Sequence, residues 1–414
     1  MYLRIRLITL LVFAAMSSSP AVAQVLSGSE LFELMSERVA LQNETLVDFR
    51  HDLHQHPEIS GAEQRTAGLI ADYLIELGFE VRSGVGGHGV VAVLKGALPG
   101  PMVGFRADMD AVRSNTYDPV EFRSLSPGVR HICGHDVHTT IGIGLAEGFA
   151  AAREHLAGSV MLIFQPAEER GTGAKAMLAD GAFSDVVPDA VFAVHTAPYE
   201  VGQVATVSGG MMAGRASFTV RISGDGDLEA AAQIVRNAIS EVGNHSPQLA
   251  GQVAPEGFIM VRVFPSRRSG LAVVVTGQIM TAGRRDRDLA KTGASAVMDA
   301  LQLDDVDLVL DYDERFMEGV TNDHELVELA NEGITTYLPE MDIQTVRGAV
   351  PMFSEDFGSF QALAPGVMYF LGVSNAEKGT VGMPHSPDYV ADDASILAGT
   401  RAMLAAMLAR MLAN

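Results

Sequence analysis

The chain has 414 residues, more than one hydrophobic core usually supports, so we expect two domains. Its formal net charge of −22 argues against nucleic acid or an anionic membrane surface as a partner. Cys133 is the single cysteine, which excludes a disulfide within the chain.

Residues 1–23 have the pattern of a secretory signal peptide. Arg4 and Arg6 precede an apolar run, and Ala21-Val22-Ala23 supplies small residues for cleavage. The run could instead be an apolar first helix, but it is too short to span a bilayer. We therefore expect an exported protein, periplasmic or secreted, with no membrane-spanning segment after the signal is cleaved. A bound metal would protect the lone thiol in an oxidising compartment.

The first block after the signal alternates helices and strands, which predicts an α/β fold with a mixed or parallel sheet under helices. The predicted helices are Leu31 to Leu53, Gln64 to Leu77 and Thr140 to His155. The predicted strands are Phe79 to Val81, Val90 to Leu94, Met102 to Arg106, Ser159 to Phe164 and Ala190 to His195.

From about Ala216 the pattern changes to strand, helix, two strands, helix and strand, the ferredoxin-like arrangement. The predicted elements are Ser217 to Ile222, Leu228 to Val242, Phe258 to Val263, Leu271 to Met280, Leu289 to Leu301 and Asp307 to Tyr312. An α/β rhythm resumes with the helix Asp323 to Tyr337 and the segments around Met368 to Leu371 and Ala391 to Leu412. The second block therefore looks like an inserted α+β domain.

Cys133 and His135 are separated by Gly134 in a predicted loop, where both side chains can turn toward one cation. Taken alone, the pair is a weak motif. A small buried thiol beside a surface histidine explains it at least as well.

Four other segments carry residues suited to metal or proton chemistry. Glu168 and Glu169 follow a proline at a strand exit, although the pair could simply begin a helix. His195 ends a strand, where it could equally be a core residue, and His385 lies between two prolines. Asp108 and Asp110 are at alternate positions at the end of a strand, suited to orienting ligand histidines.

In order along the chain, these motifs resemble the metallo-amidohydrolases that include hippurate hydrolase and the indoleacetyl-amino-acid hydrolases. The motifs are Arg50 to Ser60, Arg106-Ala-Asp-Met-Asp-Ala, Cys133-Gly-His-Asp-x-His138, Gln165-Pro-Ala-Glu-Glu169, His195, Ser354-Glu-Asp-Phe357 and His385-Ser-Pro. The resemblance implies a zinc-peptidase catalytic domain of the phosphorylase/hydrolase-like α/β class in residues 24–212 and 319–414, interrupted by a ferredoxin-like lid in residues 213–318. A homodimer is possible.

The resemblance also implies a site and a reaction. It places metal ligands on Cys133, His135, Glu169, His195 and His385, and the general base on Glu168. Two divalent ions, zinc or manganese, would polarise an amide carbonyl and acidify a water, whose proton the base transfers to the leaving amine. Around the ligands we expect supporting roles for Asp108, Asp110, Asp136 and His138, and purely structural roles for His51, His54 and His56.

The inserted domain departs from the family pattern. Where relatives have a Gly-rich turn ending in a histidine that reaches the substrate's carboxylate, this chain has Gly224-Asp225-Gly226-Asp227. His245, Arg267 and Arg268 could supply charge instead, or could be exposed loop residues. We expect a metal-dependent amidohydrolase of N-acyl amino acids or related small amides. The alternatives are a dipeptidase or carboxypeptidase, or a non-catalytic metal- or ligand-binding protein on the same scaffold.

Overall fold

A computed structural model describes residues 26–249, 251–313 and 316–413. The predicted signal peptide, residues 1–23, lies outside these described residues and stays a prediction. The helices are α1 (Gly28–Leu41), α2 (Asn43–Gln55), α3 (Gln64–Glu76), α4 (His135–Ala152), α5 (Gly173–Ala179), α6 (Leu228–Ser240), α7 (Arg284–Ala300), α8 (His324–Tyr337), α9 (Gly358–Gln361) and α10 (Ala394–Leu412).

The strands fall into two large sheets and two short ribbons. They are β1 (Glu80–Val85), β2 (Gly89–Lys95), β3 (Leu98–Asp108), β4 (Val112–Arg113), β5 (Val129–Arg130), β6 (Ala157–Gln165), β7 (Ala190–Glu200), β8 (Gln203–Thr206), β9 (Gly209–Met212), β10 (Gly214–Gly224), β11 (Ile259–Val263), β12 (Arg267–Ser269), β13 (Ala272–Thr281), β14 (Val306–Tyr312), β15 (Val320–Asn322), β16 (Asp342–Thr345) and β17 (Gly366–Ser374). The ribbons pair β4 with β5 and β9 with β15.

The larger sheet has the strand order β1-β2-β6-β3-β7-β17-β8-β16. Its central strands β6, β3, β7 and β17 run parallel, so their carboxyl ends lie at one edge. In this register Asp108 pairs with Gln165, and Phe370 of β17 pairs with His195. The sheet therefore brings residues far apart in sequence to one level, where open α/β sheets keep their sites.

Helices cover both faces of this sheet, because its central strands are apolar on both sides. One face packs Phe105, Phe192 and Leu371 under the helices α1, α4 and α10. The other face packs Met161 and Met368 against the shorter helices α5 and α9. The predicted α/β class is confirmed. The two packed layers hold the sheet whose carboxyl edge carries the site.

Two helix predictions differ from the structure. The run predicted from Leu31 to Leu53 is two helices that meet at Gln42, whose N–H still bonds back to Arg38 and Val39. A capping box opens the first of them, with Ser27 and Glu30 bonding each other's backbone N–H. The helix predicted to begin at Thr140 begins at His135, one turn earlier.

The second sheet has the order β11-β13-β10-β14, with β12 beside β13, and its pairs are antiparallel. The helices α6 and α7 pack against it and bury a separate core that includes Val220, Val275 and Ile239. This unit begins after β9 and ends before β15, and these two strands pair with each other in a separate ribbon. Its two ends therefore lie side by side.

The terminal helix α10 corrects one expectation. By length and composition it is apolar enough to cross a membrane, although no such segment was expected after the signal. Arg401 and Arg410 are its only charged residues. In the structure 67% of its most apolar window is buried, and it packs against α1, α4 and α8. Burial in a protein core selects the same apolar composition as a bilayer does.

Candidate metal centre and active site

The turn that carries Cys133 depends on a glycine. Gly134 has φ +90°, and a Cβ at this position would collide with Tyr389 and with Thr196. Thr196 also donates its hydroxyl to the carbonyl of Cys133 at 2.6 Å. His135 follows as the first residue of α4 rather than lying in a loop. A rigid helix end therefore presents its imidazole.

The five residues predicted as metal ligands lie together. Cys133 Sγ is 3.4 Å from His195 Nε2, and His385 Nε2 is 3.3 Å from Glu169 Oε1. His135 Nε2 lies 3.8 Å from Glu169 and 3.9 Å from Glu168. The donor atoms of these five form two triads within 4.8 Å, Cys133 with His135 and His195, and Cys133 with Glu169 and His385. The predicted base Glu168 forms a third with His135 and Glu169.

Two buried atoms in this cluster test whether its residues fit a metal. His135 Nε2 and Glu169 Oε1 are buried without a hydrogen-bond partner. Buried polar atoms are nearly always satisfied, and the surrounding thiol, imidazole and carboxylate groups are the donors that zinc prefers. These residues therefore fit a divalent metal.

His138 lies beside the ligand histidines but is fully engaged. Its Nδ1 is 2.6 Å from Asp108 Oδ1, and its Nε2 accepts the N–H of Thr196 at 2.8 Å. With both nitrogens used, His138 can orient the backbone next to His195 but is not free to bind metal. His195 in turn directs Nδ1 to the carbonyl of Thr196 and Nε2 toward Cys133.

Asp110 organises the acidic pair. Its carboxylate accepts the N–H of Glu168 and the N–H of Glu169, each at 3.1 Å, and the hydroxyl of Ser60 at 2.6 Å. It also lies 3.3 Å from His135 Nδ1, which leaves Nε2 facing the cluster. A carboxylate behind a histidine in this way sets the tautomer of a ligand.

Glu168 and Glu169 lie in a turn between β6 and α5, not at a helix start. Ala167 just before them has φ +54°, unusual for a residue with a side chain, and its N–H donates to Glu63 at 2.9 Å. The alternative interpretation of the pair as an acidic helix start is therefore wrong. The strained turn aims both carboxylates at the cluster.

Three buried residues beside Glu168, namely Arg106, Glu355 and Asp356, belong to the site, although the sequence analysis gave them no role of their own. Arg106 donates to Asp108 at 2.6 Å, to Glu355 at 2.8 Å and to Asp356 at 3.1 Å. Carboxylate oxygens of Glu168, Glu355 and Asp356 lie within 4.8 Å of one another. The sequence analysis noted the motif Ser354 to Phe357, but the motif alone does not show that Glu355 and Asp356 bind Arg106.

Burial shifts the pKa values of several groups in the cluster toward their uncharged forms. Burial, reinforced by Glu355 and Glu169, holds the pKa of Glu168 well above its ordinary value. Burial raises the pKa of Glu169 to about 7 and the pKa of the Cys133 thiol well above its usual range. Burial lowers the pKa of His195 to about 3, which leaves a neutral imidazole. A cation among these groups would favour their metal-binding forms.

Asp136 lies away from the predicted ligands. Its carboxylate accepts from Arg50 Nε at 3.1 Å and lies 2.9 Å from His54 Nδ1. His54 Nε2 lies 3.1 Å from Asp118 on its other side. The Arg50–His54–Asp136 network ties α2 to the first turn of α4, so it supports the helix that presents His135. His51 and His56 likewise pair with acids, Asp393 and Asp52.

We expect His54→Gln to cost more stability in acid than in base. Burial lowers the pKa of His54, but Asp118 and Asp136 outweigh it and raise the pKa above the unfolded value. The protonated ring therefore stabilises the fold fully below about pH 6.5, and this contribution declines as the pH rises through the raised pKa. Denaturant unfolding of both proteins in chelator, at about pH 5.5 and about pH 9, measures the difference.

Comparison with known proteins is consistent with this geometry. The chain is 30% identical to thermostable carboxypeptidase 2 of Saccharolobus solfataricus over 401 residues, 93% of this chain and 100% of that protein. It is 31% identical to IAA-amino acid hydrolase ILR1-like 6 of Arabidopsis thaliana over 371 residues, 84% of this chain and 76% of that protein.

Among solved structures, the fold is similar to the Bacillus subtilis YXEP protein, described as a dinuclear metal binding peptidase from the M20 family. The TM-score is 0.74 at 24% identity, covering 89% of this chain and 98% of that one. The pattern of peptidase family M20/M25/M40 matches residues 104–409, which include all the predicted ligands. The chain is a hydrolase that belongs to peptidase family M20/M25/M40.

Proposed function

We propose that the protein hydrolyses the amide bond of N-acyl amino acids or related small amides. The observation that carries this proposal is the position of Glu168. Its carboxylate is buried at 5% exposure, lies 3.9 Å from His135 Nε2, and adjoins a cluster of five metal-binding donors. A protein that only bound metal or ligand would not need a second carboxylate in this place.

We propose that Cys133, His135, Glu169, His195 and His385 hold two divalent ions. The similar Bacillus subtilis protein is a dinuclear metal binding peptidase, which supports the number of ions. When bound, such ions polarise an amide carbonyl and acidify a water. The mixture of thiol, imidazole and carboxylate donors favours zinc and also accepts manganese.

The residues of the chain then handle the proton. Glu168 accepts a proton from the attacking water and delivers it to the leaving nitrogen, which an amide requires because an amide anion is a poor leaving group. Asp110 holds the backbone of Glu168 at 3.1 Å, so the carboxylate stays in place between the two transfers. His138 and Asp108 orient the strand end that carries His195.

The substrate class rests on the relatives. One is named for amino-acid conjugates of an acid and another is named a carboxypeptidase, and both kinds of substrate place an amide next to an amino acid. We further propose that residues 213–318 are a ferredoxin-like lid. The antiparallel order β11-β13-β10-β14 with two helices packed on the sheet supports this interpretation.

We expect removal of metal to abolish turnover and its return to restore it. Purified protein would be assayed on N-acyl amino acids and dipeptides before chelation, after chelation and after adding back zinc or manganese, with metal content measured by mass spectrometry. Two ions per chain are expected with wild type, and fewer with Cys133→Ser. His245→Gln is the control, because this histidine contacts Phe258 in the inserted unit and belongs to none of the candidate metal clusters.

A metal-loaded protein that is inert toward a broad set of amides, yet binds a small molecule tightly, would instead support the binding-protein alternative. Hydrolysis of dipeptides with no activity on N-acyl amino acids would support a dipeptidase or carboxypeptidase.

A further inference from the structure

A small cavity opens beside the predicted ligand Glu169. Its volume is about 240 Å³, and it is lined by three short segments, residues 59–60, 111–113 and 169–170. This is below the roughly 300–1,000 Å³ of pockets for drug-sized molecules, so it suits one small group of a substrate. Because Glu169 is part of the wall, a group in this cavity lies directly next to the reacting centre.

Two arginines border the cavity, Arg113 from β4 and Arg170 from the turn after Glu169. Both are exposed, and within the described parts of the chain neither makes an ion pair or a side-chain hydrogen bond. Most other cations near this edge are engaged, as Arg106 is with Glu355 and Arg130 is with Asp118. Two guanidinium groups that share a cavity without an acid partner are suited to a carboxylate.

Hydrogen bonds hold the backbone segments that line the cavity below the two arginines. Ala111 donates its N–H to the carbonyl of Glu58 at 2.8 Å, and Ser60 donates its hydroxyl to Asp110 at 2.6 Å. A Cβ placed on Gly61 would lie 3.0 Å from Nη1 of Arg170, so this guanidinium lies close across the glycine turn. Its position therefore depends on the turn that also anchors Asp110.

We propose that Arg113 and Arg170 bind a carboxylate of the substrate and so determine its specificity. The inference rests on the proposed function and adds the chemical class that the site selects. The protein carries a large negative charge, and Glu169 lines the cavity, so two arginines beside it would favour entry of an anionic group there.

Of the three residues first considered in the inserted unit, two have partners there, and Arg267 is exposed on β12. Arg268 of β12 pairs with Glu229 of α6 at 3.2 Å, and the ring of His245 meets that of Phe258 edge-on. Arg113 on the β4–β5 ribbon and Arg170 in the turn after β6 instead border the cavity beside Glu169. In this proposal they supply the cation that the turn at Gly224 lacks.

We expect Arg113→Ala and Arg170→Ala each to lower kcat/KM for N-benzoylglycine roughly tenfold to a hundredfold, because each removes charge-assisted hydrogen bonds. Release of benzoate from N-benzoylglycinamide, which lacks the carboxylate, should change less than about twofold. Holoprotein is used throughout. N-Succinylglycinamide carries its carboxylate in the acyl half instead. Comparing the loss of kcat/KM on this substrate and on N-benzoylglycine shows which half of the substrate the arginines bind.

Arg221→Ala removes the same charge from an exposed position on β10 and should leave every substrate unaffected. Equal losses on the charged and the neutral substrates would overturn the proposal, since they indicate general damage to the site. If no amide is hydrolysed at all, the proposed function fails, but calorimetry with N-acetylglycine still decides the inference. Binding to wild type that the double variant loses supports the arginine site, and equal binding or none overturns it.

Discussion

Glu168→Gln is expected to lower kcat by about 10²–10⁴-fold, the usual contribution of a positioned general base. The amide keeps the shape of the carboxylate but cannot accept the proton of a water at neutral pH. Glu168 is nearly fully buried, and its backbone is held by Asp110, so the substitution leaves the turn intact. Steady-state kinetics on the best N-acyl amino acid, with metal content measured on the same samples, checks this expectation.

The metal measurement separates the two neighbouring acids. Glu168→Gln should retain its metal and lose turnover, whereas Glu169→Gln should lose both, because Glu169 Oε1 lies within 3.8 Å of His135 Nε2 and at 3.3 Å from His385 Nε2. Glu147→Gln is the matched control, a buried glutamate paired with Arg38 on α1. Full turnover by Glu168→Gln would show that the proton is transferred elsewhere.

Arg106→Met is expected to destabilise the fold by about 3–5 kcal/mol, because breaking a buried ion pair leaves charge without compensation. The guanidinium is fully buried and donates to Asp108, Glu355 and Asp356, with Gln165 as a fourth partner at 2.8 Å. Burial lowers the pKa of Arg106, but the three acids outweigh it and raise that pKa. The arginine is therefore charged throughout the working range. Denaturant unfolding of the two proteins measures the loss.

A second arginine provides the contrast. Arg65 forms an ion pair of 2.7 Å with Asp52, but both side chains are about two-fifths exposed, so Arg65→Met should cost no more than ~1 kcal/mol. Arg106→Lys should lie between the two, since lysine restores the charge without the planar fork. Partial recovery in the double variant Arg106→Met with Glu355→Gln would assign the loss to the unpaired carboxylates. A loss of less than ~1 kcal/mol for Arg106→Met would contradict a buried ion network here.

Hydrophobic periodicity was enough to predict most of the regular elements. The predicted strands from Val90 to Leu94 and from Ala190 to His195 lie within β2 and β7, and the helix from Gln64 to Leu77 corresponds to α3. Apolar runs and alternation reflect burial directly, which is why they can be found without a structure. Short strands such as β4 and β16 were missed, because two to four residues carry no periodic signal.

The boundary at His135 shows the limit of this reasoning. His135, Asp136 and His138 are polar, so the apolar pattern places the helix start at Thr140. The structure buries all three, which shows that partners contributed by other strands can override local preference. The same applies to Ala167, whose positive φ follows from a hydrogen bond to the distant Glu63.

The sequence by itself determined the α/β class, because hydrophobic periodicity is a local property, and its motifs predicted a metal site with an adjacent pair of acids. Only the tertiary structure decided which of the histidines are free to bind metal and which are engaged. His138 and His54 both lie near the site, yet each has its two nitrogens committed to Asp108 and Thr196, or to Asp118 and Asp136. Hydrogen-bond partners between 30 and 82 residues away make that choice, so it depends on how distant segments are brought together by the fold. The fold likewise brings Arg113 and Arg170 to one cavity beside Glu169.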